Sequence, residues 1–187
     1  ADASVAQRRL YAEAPAVVFI DTAGRGFEEE QEGQNASYFN TGEAGLVWSH
    51  LEKELETWRQ VAVQQYESAL SQGLQVGVIS PYRAQVAQLE DQQPALPEGA
   101  KVRVQSVDGF QGQEQDIIYV SMVRSNEEGN IGFLRDTRRM NVALTRARKL
   151  LVVIGDSATL GQHPFYKDFL SYIDRIGAYR SAWEFDV

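Results

Sequence analysis

The sequence predicts a three-layer α/β domain with a mostly parallel β-sheet and helices on both faces. Short, continuously apolar segments alternate with amphipathic ones along the 187 residues. Strands that are apolar throughout are typical of a parallel sheet that helices cover on both sides. With 43% hydrophobic and 24% charged residues, the composition is that of a globular protein and not of a disordered one. No repeat or linker divides the chain, so one domain over residues 1–187 is expected.

The first predicted elements are a buried strand and a long helix, separated by an acidic loop. Residues 16–20 are wholly apolar and bounded by turn or polar residues, as a buried strand requires. Glutamates concentrated in residues 28–32 favour a solvated loop. Asn40 is the candidate N-cap, with Glu43 as its capping partner, of a helix that ends near Gly73. The buried face of this helix is predicted to hold Val47, Leu51, Leu55, Trp58, Ala62, Tyr66 and Ala69.

The remaining predicted elements alternate between strands and helices. A strand over residues 75–80 precedes a helix over residues 82–92, which begins just after Pro81 as helices often do. Valines indicate a strand over residues 102–107 that runs into a turn at residues 108–109. The last four elements are an apolar strand, an arginine-rich helix, a further strand and a closing helix, at residues 117–123, 135–149, 150–154 and 165–176.

Composition and charge exclude several classes of protein. The chain has no cysteine and two histidines, so neither disulfides nor a metal site of thiolate or imidazole ligands is expected. Neither an apolar run of membrane-spanning length nor a signal-peptide pattern is present, which predicts an intracellular protein, cytoplasmic or nuclear, without a membrane partner. The net charge is −8, so a polyanion must be bound by a local basic patch. Residues 135–149 hold six Lys/Arg and one acid.

Three segments could carry chemistry, and the first is residues 104–116. Gly109 and Gly112 allow a backbone path with exposed N–H groups, which could receive a phosphate or a nucleic-acid backbone. Glu114 follows the second glycine, where its carboxylate could accept hydrogen bonds from ribose hydroxyls. The same spacing also fits a tight turn between two strands, so both interpretations stay open.

The second segment is the basic stretch over residues 138–148. Arg139 and Arg146 are seven residues apart, which puts them on nearly the same face of the predicted helix. A guanidinium is always charged and forks onto phosphate oxygens, so it suits stabilisation of a transferring γ-phosphoryl group. A solvated basic helix face is the alternative.

The third segment is residues 80–85, in which Ser80 and Tyr82, on either side of Pro81, supply a hydroxyl and an aromatic ring at the end of a strand. These residues could contact a nucleic-acid phosphate and stack on a base, although proline at a helix start is also common for structural reasons. Ligands of parallel sheets sit beyond the carboxyl ends of the strands. We therefore expect this segment and residues 108–113 to lie at that edge, near the basic helix.

Taken in order, the three segments resemble the C-terminal RecA-like domain of superfamily 1 helicases. The resemblance is to the up-frameshift type branch, which includes senataxin-like and Dna2-like enzymes, and it is dense over residues 76–156. The strings that carry it are ISPYRAQ, SVDGFQGQEQDIIYVSMVRSN and GNIGFLRDTRRMNVALTRARKLLVVIGD. The resemblance implies a RecA-like fold of the P-loop NTPase type and an ATP-dependent helicase or translocase.

The resemblance also implies a role for each segment. In the motif V-like stretch, Glu114 would hold the ATP ribose and Gly112 would approach the phosphates. In the motif VI-like stretch, Arg146 would be the arginine finger toward the γ-phosphate, and Arg139 a second candidate for a nucleotide or interdomain contact. The residues implied to lie near a single strand of DNA or RNA are Ser80, Pro81, Tyr82, Ser106, Val107 and Gln111.

Parts of the helicase pattern are absent from this sequence. It has neither a Gly-x-x-x-x-Gly-Lys-Ser/Thr phosphate loop nor an Asp-Glu pair after an apolar strand. The resemblance therefore implies that ATP and Mg²⁺ are bound mainly by an N-terminal RecA-like domain of the same parent chain, and that this part is a monomeric fragment, inactive alone. Two alternatives stay open: a non-catalytic nucleic-acid-binding or protein-interaction module that retains the fold, and a stand-alone nucleotide-binding regulator.

Overall fold

The structure, a computed structural model, describes residues 16–31, 33, 37–65, 73–110 and 112–185. Its strands are β1 Ala16–Asp21, β2 Glu30–Gln31, β3 Tyr38–Phe39, β4 Leu74–Ser80, β5 Ala100–Ser106, β6 Gln115–Ser121, β7 Ala147–Gly155 and β8 Tyr179–Ser181. Six of them form one sheet in the order β5-β4-β6-β7-β1-β8. Every pairing in that sheet is parallel, which confirms the predicted sheet. Strands β2 and β3 form a separate antiparallel pair.

Helices cover both faces of the sheet, as predicted. They are α1 Thr41–Gln65, α2 Arg83–Asp91, α3 Thr137–Leu144, α4 Ser157–Leu160 and α5 Pro164–Arg175. Alternate strand residues point to opposite faces of the sheet. Tyr119 of β6 therefore packs in a core with α1 and α2, and its neighbour Ile118 packs in a second core with α3 and α5. Among the described residues, no helix is long and apolar enough to cross a bilayer.

The start of α1 confirms one part of its prediction and corrects another. The Asn40 side chain accepts a hydrogen bond from the Glu43 N–H at 3.0 Å, as an N-cap does. The predicted return bond from Glu43 is wrong, because the Asn40 N–H donates to Gln85 instead, at 2.8 Å. The predicted inner residues Val47, Leu51, Leu55 and Trp58 are buried. Ala62, Tyr66 and Ala69 lie outside the residues whose side chains are described.

The predicted helix over residues 135–149 is wrong at both ends. A short 3-10 helix spans Gly132–Arg135, and Asp136 then caps α3 by accepting the Arg139 N–H. At the other end β7 begins at Ala147, which pairs with Gln115 of β6. Residues 147–149, which the periodicity predicted to be helical, therefore belong to β7, because this strand pairs with β6. Arg146 lies in the link between α3 and β7, so it does not share a helix face with Arg139.

The acidic loop is more structured than its composition predicted. The Glu29 carboxylate accepts hydrogen bonds from the Arg124 guanidinium at 2.8 and 2.9 Å and from the Ser125 N–H at 2.8 Å. Glu30 and Gln31 belong to the small antiparallel pair. The edge strand β8, which extends the sheet beyond β1, was not predicted.

The link between β5 and β6 crosses the sheet without a long helix. Because β4 lies between these two strands, the link must pass over β4. A 3-10 helix, Val107–Phe110, begins this crossover segment, which we define as residues 107–114. A Cβ on Gly77 of β4 would be 2.6 Å from the Phe110 ring, so glycine there lets the segment lie close against the sheet. The crossover segment thus runs from the carboxyl edge of the sheet to its amino edge.

Candidate functional site

The residues predicted to be functional fall at two opposite edges of the sheet. One group ends or follows β4 and β5 at the carboxyl edge: Ser80, Pro81, Tyr82, Ser106 and Val107. The other group directly precedes β6 and β7 at the amino edge: Gly112, Glu114 and Arg146. The expectation that residues 108–113 lie at the carboxyl edge is therefore wrong for Gly112, because the crossover segment spans the sheet. Gln111 lies outside the described residues.

At the amino edge, Glu114 and Arg146 come together through the first rung between β6 and β7. The Gln115 N–H donates to the Arg146 carbonyl oxygen at 3.0 Å, so the two residues preceding these strands are held side by side. Glu114 and Gly112 are exposed. Gly112 has a φ of +80°, and a Cβ there would meet no atom within 4 Å. The backbone at Gly112 is therefore open to close approach by a ligand.

Among the described residues, Arg146 has no acidic partner, in contrast to Arg139 and Arg148. Its Nε is buried and has no hydrogen-bond partner among the described residues. Arg139 is bound to the Asp108 carboxylate through two bonds, one of them 2.9 Å from Nε to Oδ1, and Arg148 pairs with Asp116 at 3.4 Å. An unsatisfied buried polar atom costs about 1–3 kcal/mol. The Arg146 side chain is thus the one of the three that keeps an unmet capacity for an anion.

Arg139 has a defined structural contact. Its hydrogen bonds hold the pKa of the Asp108 carboxyl below its usual range, and the positive charges of Arg139 and Arg83 act in the same direction. Asp108 belongs to the crossover segment and Arg139 to α3, so the pair ties these two elements together. The predicted role of Arg139 at the nucleotide stays a prediction.

The last residue of β4 and the two residues after it are buried. The Ser80 hydroxyl accepts the Tyr82 N–H at 3.3 Å, and both residues have 1% or less of their surface exposed. Pro81 is buried as well. The Tyr82 ring is therefore not available to stack on a base as the sequence suggested, since it is buried, stacked on Phe133 and in T-shaped contact with Tyr38. Ser106 is half-buried and Val107 buried.

Sequence reasoning missed Arg124, which organises the carboxyl edge. Only 3% of its surface is exposed; its guanidinium binds Glu29 and reaches the Tyr82 hydroxyl at 3.4 Å, and it lies 4.2 Å from the Tyr38 ring centroid. Burial alone would lower the pKa of Arg124, but the hydrogen bonds that Arg124 donates to Glu29 and Tyr82 outweigh it and raise that pKa. A lone arginine directly after an apolar strand was the available signal.

A buried carboxyl supports the same turn. Glu43 accepts hydrogen bonds from the Ser121 hydroxyl at 2.6 Å and the Val123 N–H at 2.8 Å, while Asn40 donates to the Val123 carbonyl at 3.2 Å. Val123 has a φ of +72°, which is unfavourable for a β-branched residue, so both its peptide groups are clamped in a strained turn. Burial raises the pKa of Glu43 to about 8. The turn orients Arg124, the next residue.

The comparisons with known proteins identify the family. The family profile AAA_12, described as an AAA domain, matches residues 2–158. The chain belongs to this family. It is 37% identical over 172 residues to DNA-binding protein SMUBP-2 of Rattus norvegicus, covering 90% of this chain and 16% of that protein. It is 38% identical over 178 residues to Putative helicase MOV-10 of Gallus gallus, covering 88% and 18%. DNA polymerase alpha-associated DNA helicase A of Saccharomyces cerevisiae is 38% identical over 146 residues, covering 77% and 20%.

These relatives confirm the resemblance to the up-frameshift-like branch of superfamily 1 helicases. The parallel sheet between two helical layers is the RecA-like architecture that this membership implies. The chain spans about a fifth or less of the length of each of these relatives.

This helicase-family domain also has an acidic groove of about 590 Å³ at the carboxyl ends of β1, β6 and β7. Its charged lining residues are Glu28, Glu29, Glu127, Glu128 and Asp156. In the part of the chain that the structure describes, no three His, Asp or Glu side chains are arranged to hold a metal ion. These carboxylates disfavour a phosphate backbone in the groove.

Proposed function

We propose that this domain is the second motor domain of an ATP-dependent helicase or translocase. In that role it supplies an arginine finger and a ribose contact to ATP and a grip on single-stranded DNA or RNA. The observation that carries the proposal is the Arg146 guanidinium, which lacks an acidic partner among the described residues and stands beside Glu114 at the amino edge of the sheet. The family membership supports the same conclusion.

The residues of the amino edge fit a triphosphate. The Arg146 guanidinium has no acidic partner among the described residues, the Glu114 carboxylate is an acceptor for ribose hydroxyls, and the open backbone at Gly112 can approach a phosphate. Bound ATP supplies the phosphoryl group that is transferred to water. Arg146 stabilises the charge on that group, and an arginine in this role contributes about 10³–10⁵ in rate, or roughly 4–7 kcal/mol.

The remaining ATP and Mg²⁺ contacts belong to a second RecA-like domain in this proposal. This sequence has no phosphate loop, and a P-loop NTPase holds Mg²⁺ through that loop and an acidic residue after a strand. The N-terminal part of the same parent chain is the proposed source of that domain. Arg146 then acts across the cleft, and the isolated chain is expected not to hydrolyse ATP.

The crossover segment links the two edges of the domain. Its first residue, Val107, lies at the carboxyl edge and its last, Glu114, at the amino edge. The pair between Asp108 and Arg139 ties it to α3, which leads directly into Arg146. When the cleft closes on ATP, the carboxyl edge, which binds the nucleic acid in this proposal, therefore moves together with the amino edge. Each cycle of closure and release advances the domain along the single-stranded nucleic acid.

ATP hydrolysis by the parent protein tests the proposal. We expect Arg146→Ala to lower the nucleic-acid-stimulated turnover rate by about 10³-fold or more without changing the affinity for an oligonucleotide, and Arg146→Lys to restore little of the rate because lysine lacks the planar fork. Arg148→Ala is the matched control, since this nearby arginine is exposed and paired with Asp116. Wild-type turnover in Arg146→Ala would contradict the assignment. A parent protein without any ATP hydrolysis would favour the non-catalytic module.

A further inference from the structure

Phe133 exposes a large aromatic surface at the carboxyl edge of the sheet. Its relative exposure is 59%, and it follows Gly132 in the 3-10 helix before α3. One face of its ring lies on Tyr82, with the ring centroids 5.4 Å apart and an angle of 26° between the planes. The near-parallel arrangement leaves the opposite face of the Phe133 ring turned away from the core.

The position of this ring is fixed by the residues behind it. The Phe133 N–H donates to the Tyr82 hydroxyl at 3.1 Å, and the Tyr82 and Tyr38 rings meet nearly perpendicular to each other. Gly132 has a φ of +50°, and a Cβ there would lie 2.0 Å from Nη1 of Arg124. The close approach of Arg124 thus requires glycine, and Phe133 is the exposed member of a cluster of three aromatic rings.

Exposed arginines flank Phe133 and its stacking partner Tyr82 along the chain. Arg83 directly follows Tyr82, and Arg135 and Arg138 follow Phe133 along the chain; all three are exposed. Two acids in these segments of the chain are engaged by other groups: Asp108 binds an arginine of α3, and Asp136 caps the first turn of α3. An exposed aromatic ring among arginines is the combination that single-stranded nucleic acid requires, because the backbone meets positive charge while a base stacks.

We infer that Phe133 is a stacking platform for one base of a single-stranded nucleic acid, with Arg83, Arg135 and Arg138 beside the flanking phosphates. The inference rests on the proposed function, and it transfers the stacking role from the buried Tyr82 ring to the exposed ring that Tyr82 supports. Every base offers a flat face, so the contact tolerates any sequence. Because the contacts with Tyr82 hold the ring in place before binding, little conformational entropy is lost when the base stacks.

Binding of two oligomers to the parent protein tests this inference. The probes are a fluorescent oligothymidylate and an abasic sugar–phosphate oligomer of the same length, followed by fluorescence anisotropy at low ionic strength. We expect Phe133→Ala to weaken oligothymidylate binding about 5- to 150-fold and to leave binding of the abasic oligomer unchanged. Phe133→Leu retains apolar contact with Tyr82 but has no flat face, so it should behave as the alanine variant does. Phe133→Trp should bind like the wild type, and Tyr172→Ala, which removes an exposed ring on α5, is the control.

The outcomes separate this inference from the proposed function. A wild-type protein that binds neither oligomer overturns the nucleic-acid grip and the stacking platform together. Binding that is indifferent to Phe133, or is weakened equally for both oligomers, overturns the stacking platform alone. Normal oligomer affinity with lost ATP turnover in Phe133→Ala also overturns it, because the ring would then pack against a neighbouring protein domain.

Discussion

Replacing Glu43 by glutamine should remove a large loss of stability that the domain suffers as pH rises. The Glu43 carboxyl is fully buried, and burial raises its pKa from 4.5 to about 8. Below pH 4.5 it is protonated in both the folded and the unfolded states, so its stabilising contribution is complete. Between the two values the unfolded chain releases a proton that the folded chain keeps, so the free energy of unfolding falls as pH rises.

The size of this effect follows from the two pKa values. Each pH unit between them lowers the free energy of unfolding by about 1.4 kcal/mol, or roughly 5 kcal/mol over the whole interval. Glutamine has no titrating proton, and its carbonyl oxygen can still accept the hydrogen bonds from Ser121 and Val123. The stability difference between Glu43→Gln and the wild type should therefore increase steadily with pH.

Urea unfolding of both proteins at several values between about pH 5 and pH 8 measures this difference, and the other titrating groups cancel in the subtraction. Glu52→Gln, an exposed position on the same helix, is the control and should run parallel to the wild type. Parallel curves for wild type and Glu43→Gln would refute the reasoning, because Glu43 would then have the same pKa in the folded and unfolded chains.

Two further substitutions test the packing that positions the site. Gly77→Ala places a methyl group 2.6 Å from the Phe110 ring, and we expect a loss of about 1–3 kcal/mol in urea unfolding; an unchanged midpoint would mean that the crossover segment does not lie against β4. Tyr82→Phe leaves the Phe133 N–H without its acceptor and removes the contact with Arg124. We expect a loss of about 1–3 kcal/mol, and wild-type stability would show that this hydroxyl does not hold the turn.

Hydrophobic periodicity was sufficient to predict the fold class of the domain, and the ordered motifs were sufficient to predict its family. The parallel sheet follows from strands that are apolar throughout, and the inner face of α1 from the spacing of Val47, Leu51, Leu55 and Trp58. The N-cap at Asn40 is a local contact over three residues, which a local pattern can predict. The motif strings were enough to recognise the family, because they are read directly from the sequence and need no knowledge of the fold.

The tertiary structure decided where the candidate site residues lie. Pairing between β6 and β7 ends α3 before Arg146. The crossover segment places the proposed ATP-binding residues at the amino edge and the proposed nucleic-acid-binding residues at the carboxyl edge. The partner of Arg124 is Glu29, 95 residues away, and Tyr82 is covered by Phe133, 51 residues further along. Such contacts depend on how distant segments pack in three dimensions, and local spacing along the chain carries no information about that packing.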